Sequence, residues 1–170
     1  MKQRKAPSAD GAFVGKERNK VMKIETKYFG QIDIGEEKII HFENGLLGFN
    51  EYKDYTILFD NESGDKPLFS WLQSTEERAL AFPIVSPFDV LEEYNPSVND
   101  ELLMPLGDMK EEDTIVFLMA TIPSDIKNAS VNMKAPLIIN GATRKAAQII
   151  VENQDYEIKH KIMKQEGEKC

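Results

Sequence analysis

The sequence predicts a mainly β protein: a small single-domain barrel or half-barrel of about ten short strands, with one or two one-turn helices. Three observations carry that expectation. Short β-rich runs follow one another from Met22 onward, and turn clusters such as the stretch around Asn61 and Gly64 separate them. The one stretch with a different character, residues 86–113, is broken by prolines into pieces too short for long helices. The 170-residue length suits one domain, and no internal repeat is visible.

Residues 1–21 show no period and few large apolar side chains, so they read as a disordered extension or an upstream start. The folded domain is expected over 22–163, and residues 164–170 form a flexible tail. Phe29, Gln31 and Asp33 alternate with Gly30, Ile32 and Ile34, which is strand-like. The run 38–42 follows after the turn at 35–37 and predicts a hairpin with the first. Runs 55–59, 68–73 and 79–85 are further strands. Between 86 and 113 short helical turns are expected, with Asp89 and Ser97 as N-caps and Pro87, Pro96 and Pro105 as stops. Residues 114–122 are apolar throughout and rich in β-branched side chains, which predicts a strand buried on both faces. Two short strands around Pro136, then runs 145–152 and 156–162, complete the set.

Composition narrows the class of function. The chain is 41% hydrophobic and has no apolar run long enough to span a membrane. Its N-terminus is basic but lacks the apolar core of a secretory signal. Cys170 is the sole cysteine, so no disulfide can form within the chain, and a cytoplasmic protein is the simplest expectation. Residues 22–170 hold 15 basic and 27 acidic side chains, a net charge of −12. Phosphate contacts need the opposite sign, so this body is not expected to bind nucleic acid directly. An acidic surface suits a basic partner, or serves solubility.

No catalytic constellation is present. His41 and His160 lie far apart, each within a strand pattern, and no Cys/His cluster has metal-ligand spacing. Gly45 and Gly48 match neither a dinucleotide fingerprint nor a phosphate loop. Paired acids such as Glu76 and Glu77 fall in turns, as solvated charges do. The expectation is a protein without enzymatic activity, cofactor or metal.

What stands out is apolar residues in turns. Residues 42–52 place Leu46, Leu47 and Phe49 around two glycines, where a simple reversal would be polar. Either the loop is a lid on its own core or it offers those side chains to a partner. A second candidate is electrostatic. From Asp89 to Asp113 nine acids face Lys110 alone, and Glu111, Glu112 and Asp113 end the run. These acids either cap turns and keep the chain soluble, or steer a basic partner.

Residues 42–49, 69–74, 80–88, 132–140 and 146–160, in this order and spacing, resemble the FliW family of flagellar assembly factors. The resemblance runs from about Met22 to Ile162. It implies a small non-enzymatic β-barrel, expected as a monomer, that binds flagellin in the cytoplasm. It further implies that, when free, the protein binds and antagonises CsrA, a basic RNA-binding regulator that represses flagellin translation. On that reading Leu46, Leu47, Phe49, Glu111, Glu112 and Asp113 are candidate partner-binding residues. A small-molecule or flavin-binding split barrel is the alternative, and the sparse basic residues of the body argue against a phosphate cradle. A third reading is a subunit that simply oligomerises.

Overall fold

The computed structural model describes residues 20–59 and 67–162. The expected tail at 164–170 and all but the last two residues of the expected extension lie outside them. Eleven strands are present among the described residues. They are β1 (Val21–Glu25), β2 (Gln31–Gly35), β3 (Ile40–Phe42), β4 (Asp54–Leu58), β5 (Ser70–Ser74) and β6 (Ala81–Val85). After two one-turn helices, α1 (Pro87–Val90) and α2 (Asp100–Leu103), come β7 (Thr114–Thr121), β8 (Ser130–Val131), β9 (Leu137–Asn140), β10 (Lys145–Gln148) and β11 (His160–Lys161).

Seven of these strands close a barrel, in the order β9-β10-β3-β4-β5-β6-β7 and back to β9. Strand direction cannot alternate all the way round a ring with an odd number of members, so one neighbouring pair must run parallel. That pair is β3–β10, where His41 faces Lys145 and Phe42 faces Ala146. The other ring pairings are antiparallel. β8 and β9 lie along the same edge of β7, interrupted by residues 132–136, where six positions on one side oppose three on the other and the ladder bulges.

The alternation of side chains sorts the core. Ile57, Leu72 and Phe82 lie in one row across β4, β5 and β6 and point into the ring. Phe42, Leu46, Tyr55, Ile84, Leu137 and Ile139 fill the rest of that interior. The odd-even partners face outward. Leu118 packs with Val85, Tyr94, Val131 and Met133, while Ile138 packs with Leu106 and Ile149. Residues 86–113 thus form an outer layer over β6, β7, β9 and β10. Each such buried Leu or Ile contributes about 1.5–3 kcal/mol relative to exposure.

Four expectations are corrected. Strand 38–42 does not form a hairpin with residues 28–34. β2 pairs instead with β1, because Thr26 and Gly30 close the reversal: Thr26 N–H and Oγ1 both donate to Gly30 C=O, and Gly30 takes φ +67°. Val21, assigned to the extension, belongs to β1 and pairs with Gly35. The N-caps are Ser86 and Asn99, not Asp89 and Ser97, and Asn99 accepts from Glu101 N–H. Pro87 opens α1 at its first position, where a missing N–H costs nothing. Finally, β7 is flanked on both edges but is not buried along its whole length. Leu118 is fully buried, whereas Thr114 and Ile115 are exposed at the start of the strand.

Candidate functional site

The loop joining β3 to β4 splits the leucine pair. Leu46 is 1% exposed and belongs to the ring interior, while Leu47 is 53% exposed and Phe49 36%. The backbone enforces this division. Phe49 N–H donates to Leu46 C=O at 2.8 Å, and Gly48 in the third position of that turn has φ +86°. At Gly45, φ is +65°, and a Cβ there would stand 2.8 Å from Asn50 Cα and Phe49 O, so the chain has room only for glycine. Phe49 keeps one edge on the barrel, with its ring 5.2 Å from that of Phe82. Leu46 therefore lies beyond the reach of a partner unless the loop opens. Leu47 and part of Phe49 are presented to solvent.

Beside the loop runs a cleft of about 170 Å³, lined by Glu43, Asn44, Gly45, Leu102, Pro105, Leu106 and the strand β10. Leu102 and Met104 stand exposed near its outer wall. The loop and the outer layer thus meet across β10, with Leu102, Pro105 and Leu106 giving the cleft apolar lining and Glu43 and Lys145 charged lining. His41 also lines it, with Nδ1 2.7 Å from Asp54 Oδ1. His160, in contrast, is on β11 with Nδ1 3.1 Å from Glu157. Neither histidine meets the other, and among the described residues no cluster of three or more His, Cys, Asp or Glu side chains is arranged to hold a metal.

Glu111, Glu112 and Asp113 form a one-turn 3-10 helix just before β7, with both glutamates exposed. Asp113 is fixed through its backbone, whose carbonyl accepts from Gly141 N–H at 2.7 Å. This leaves its carboxylate out of the main-chain scaffold. The acidic turn adjoins the 141–144 turn that leads into β10, and the Leu47 loop adjoins the far end of that strand.

Two polar residues that sequence reasoning passed over hold these parts in place. Asn140, with no exposed surface, donates from Nδ2 to Leu106 C=O and Asp108 C=O and accepts from Ala142 N–H, so it ties the acidic outer layer to the barrel. Gln148 accepts from Leu47 N–H at 2.9 Å and donates to Ala135 C=O at 3.2 Å. The available signal was a carboxamide ending each of two apolar strands, at 137–140 and 145–148.

Two tyrosines are electrostatically displaced. Burial, with smaller contributions from Glu76 and Tyr52, pushes the Tyr55 phenol up to about 12. Burial and the neighbouring Tyr156 push Tyr94 higher still, and its hydroxyl donates to Met133 C=O at 2.8 Å. Both are structural groups that stay neutral near pH 7.

The chain's relatives agree with this architecture. Residues 23–162 match the FliW protein family. A flagellar assembly factor FliW from Lachnoclostridium phytofermentans is 47% identical over 141 residues, covering 83% of this chain and 90% of the relative. Another from Lachnospira eligens is 42% identical over 142 residues, covering 83% and 94%. A crystal structure of the flagellar assembly factor FliW superposes with a TM-score of 0.78 at 32% identity, covering 85% of this chain and 99% of that one. The chain belongs to the FliW family of flagellar assembly factors.

Proposed function

We propose that this protein binds flagellin in the cytoplasm and, when free of it, binds CsrA and lifts CsrA's repression of flagellin translation. The observation that carries the first half is Leu47. A large apolar side chain held outward on a glycine-pinned loop, beside an apolar cleft, is the arrangement that docks an amphipathic helix. Flagellin belongs to the assembly that the named relatives serve, and its chain ends supply such helices. The second half rests on charge. Nine acids against the single Lys110 make the layer at 89–113 strongly negative, suited to a basic RNA-binding protein and repellent to the RNA it would release.

The proposed partner-contacting residues are Leu47 and Phe49 for flagellin, and Glu111, Glu112 and Asp113 for CsrA. Leu46 supports the loop from beneath. The role is one of binding and regulation, without catalysis. The test mixes the purified chain with flagellin or CsrA from the bacterium that encodes it and sizes the mixtures by gel filtration. A stable complex with each protein is expected. Failure of both to co-elute at micromolar concentration would sink the proposal.

A further inference from the structure

We propose that Gln148 is a positioning residue for the docking loop: its side-chain carbonyl sets where Leu47 points. The inference rests on the reading of Leu47 as a flagellin contact and adds the residue that makes the contact possible. Residue 148 is 101 positions away from residue 47 in sequence, yet its Oε1 accepts from Leu47 N–H at 2.9 Å. The same side chain is fixed at its other end, where Nε2 donates to Ala135 C=O at 3.2 Å and lies 3.5 Å from Met119 Sδ. A carboxamide can do this because it accepts and donates at once. It reaches from the loop to the bulge at 132–136 and to β7, and so ties the loop to rigid parts of the ring.

Leu47 needs such a tie. The turn closes on itself through Phe49 N–H and Leu46 C=O, and Leu46 anchors it in the core. The Leu46–Leu47 peptide is held on its carbonyl side by that bond within the loop, which does not tie the turn to the strand beside it. The Gln148 bond on the N–H side of the same peptide supplies that tie and so sets where the turn, and Leu47 with it, stands against the ring. Since Leu47 is exposed, water can replace Gln148 as the acceptor there, whereas Ala135 C=O, on a residue 3% exposed, loses its donor in any variant without the amide. Stability therefore falls alike in variants that keep or lose the acceptor, and only the order of the loop differs between them, which separates a positioning role from a structural one.

Three variants test the proposal in the full chain. Gln148→Leu removes both hydrogen bonds, and Gln148→Glu keeps an acceptor for Leu47 N–H but loses the donor to Ala135. Leu47→Ser removes the contact itself. Amide hydrogen exchange at Leu47 and Gly48 and flagellin affinity are measured for each. Gln148→Leu is expected to speed exchange at Leu47 several-fold and to weaken flagellin binding about 5- to 10-fold, the size of one neutral hydrogen bond's effect. Gln148→Glu is expected to restore slow exchange and most of the affinity. Unchanged exchange in Gln148→Leu overturns the proposal, as does faster exchange with wild-type affinity. Equal losses in Gln148→Leu and Gln148→Glu also overturn it, because the lost function would then lie in the donor. Flagellin binding that is unaffected in Leu47→Ser overturns the docking reading itself. Binding lost in Leu47→Ser but kept in Gln148→Leu overturns only the part played by Gln148.

Discussion

The side-chain amide of Asn140 donates to Leu106 C=O at 2.8 Å, joining the end of a barrel strand to the layer that covers it. Asp108 C=O, 3.1 Å away, shares the donor, and Ala142 N–H fills the acceptor side. Asn140→Leu would leave Asp108 C=O and Ala142 N–H without their side-chain partner, while Leu106 C=O keeps a hydrogen bond from Thr143 Oγ1 at 3.0 Å. Both orphaned groups are on exposed residues that water reaches in part, so a loss of roughly 1–3 kcal/mol is expected in urea unfolding. A loss under about 1 kcal/mol would mean that the outer layer holds itself in place.

The two leucines of the β3–β4 loop should respond in opposite ways. Leu46→Ala removes a fully buried side chain and is expected to cost about 2–5 kcal/mol. Leu47→Ser should stay within about 0.5 kcal/mol of the parent, as surface changes do, while weakening flagellin binding. Thermal melts together with a titration of flagellin separate the two effects. Equal destabilisation by both changes would contradict the division of the pair.

Along β7 the position decides the outcome. Leu118→Asp buries an unpaired charge between Val85, Tyr94 and Val131, at a cost of several kcal/mol. That approaches the whole stability of a small domain, so the variant should be largely unfolded. Ile115→Asp, three residues earlier and 42% exposed, should remain folded. Circular dichroism of the two variants checks this.

Exposed charges act on encounter more than on stability. Changing Glu111, Glu112 and Asp113 to Gln, Gln and Asn should slow CsrA association and flatten its salt dependence, since steering is screened beyond about 8 Å at physiological ionic strength. Melting temperature should barely move, because the Asp113 contact to Gly141 is made by the main chain. Stopped-flow rates that match the parent from low to high salt would remove these three acids from the steering surface.

Alkaline pH should unfold the protein from within. Tyr55 is pushed up from 10.0 to about 12 by burial. A raised phenol favours the folded state fully below its unfolded value, and that contribution is lost as pH rises from about 10 towards 12. A shift of this size corresponds to about 2–3 kcal/mol. Tyr94 moves in the same direction. Denaturation followed by phenolate absorbance should therefore show ionisation and unfolding in one transition. Free titration of all tyrosines near 10 without unfolding would contradict it.

Much of the fold is legible in the sequence because apolar residues in short runs report burial directly. The strands at 54–58, 70–74, 81–85 and 114–121 all fall within a residue or two of the runs that predict them. Pairing was less legible, since Ile32 and Ile34 announce a strand without naming its neighbour. Only the reversal at Thr26 and Gly30, invisible to alternation, sends β2 to β1. The site was half legible. Glycines around two leucines marked the loop, but which leucine faces the core depends on Gly48 and on a hydrogen bond to residue 148. No local pattern contains that bond.

The parallel seam of the barrel has a consequence for the protein's synthesis. Its two sides, at His41 and Lys145, are more than a hundred residues apart along the chain. A ribosome adding roughly 5–20 residues each second leaves the first side waiting for several seconds before the second exists. The hairpins at β4–β5 and β5–β6 can form during that interval, being local, whereas a pairing of such sequence separation forms slowly. The nascent chain thus passes through an open, curved sheet with β3 as an unpaired edge, the kind of edge that recruits foreign strands. A chaperone that shields β3 in this window would raise the yield of closed protein more than one acting on the finished chain.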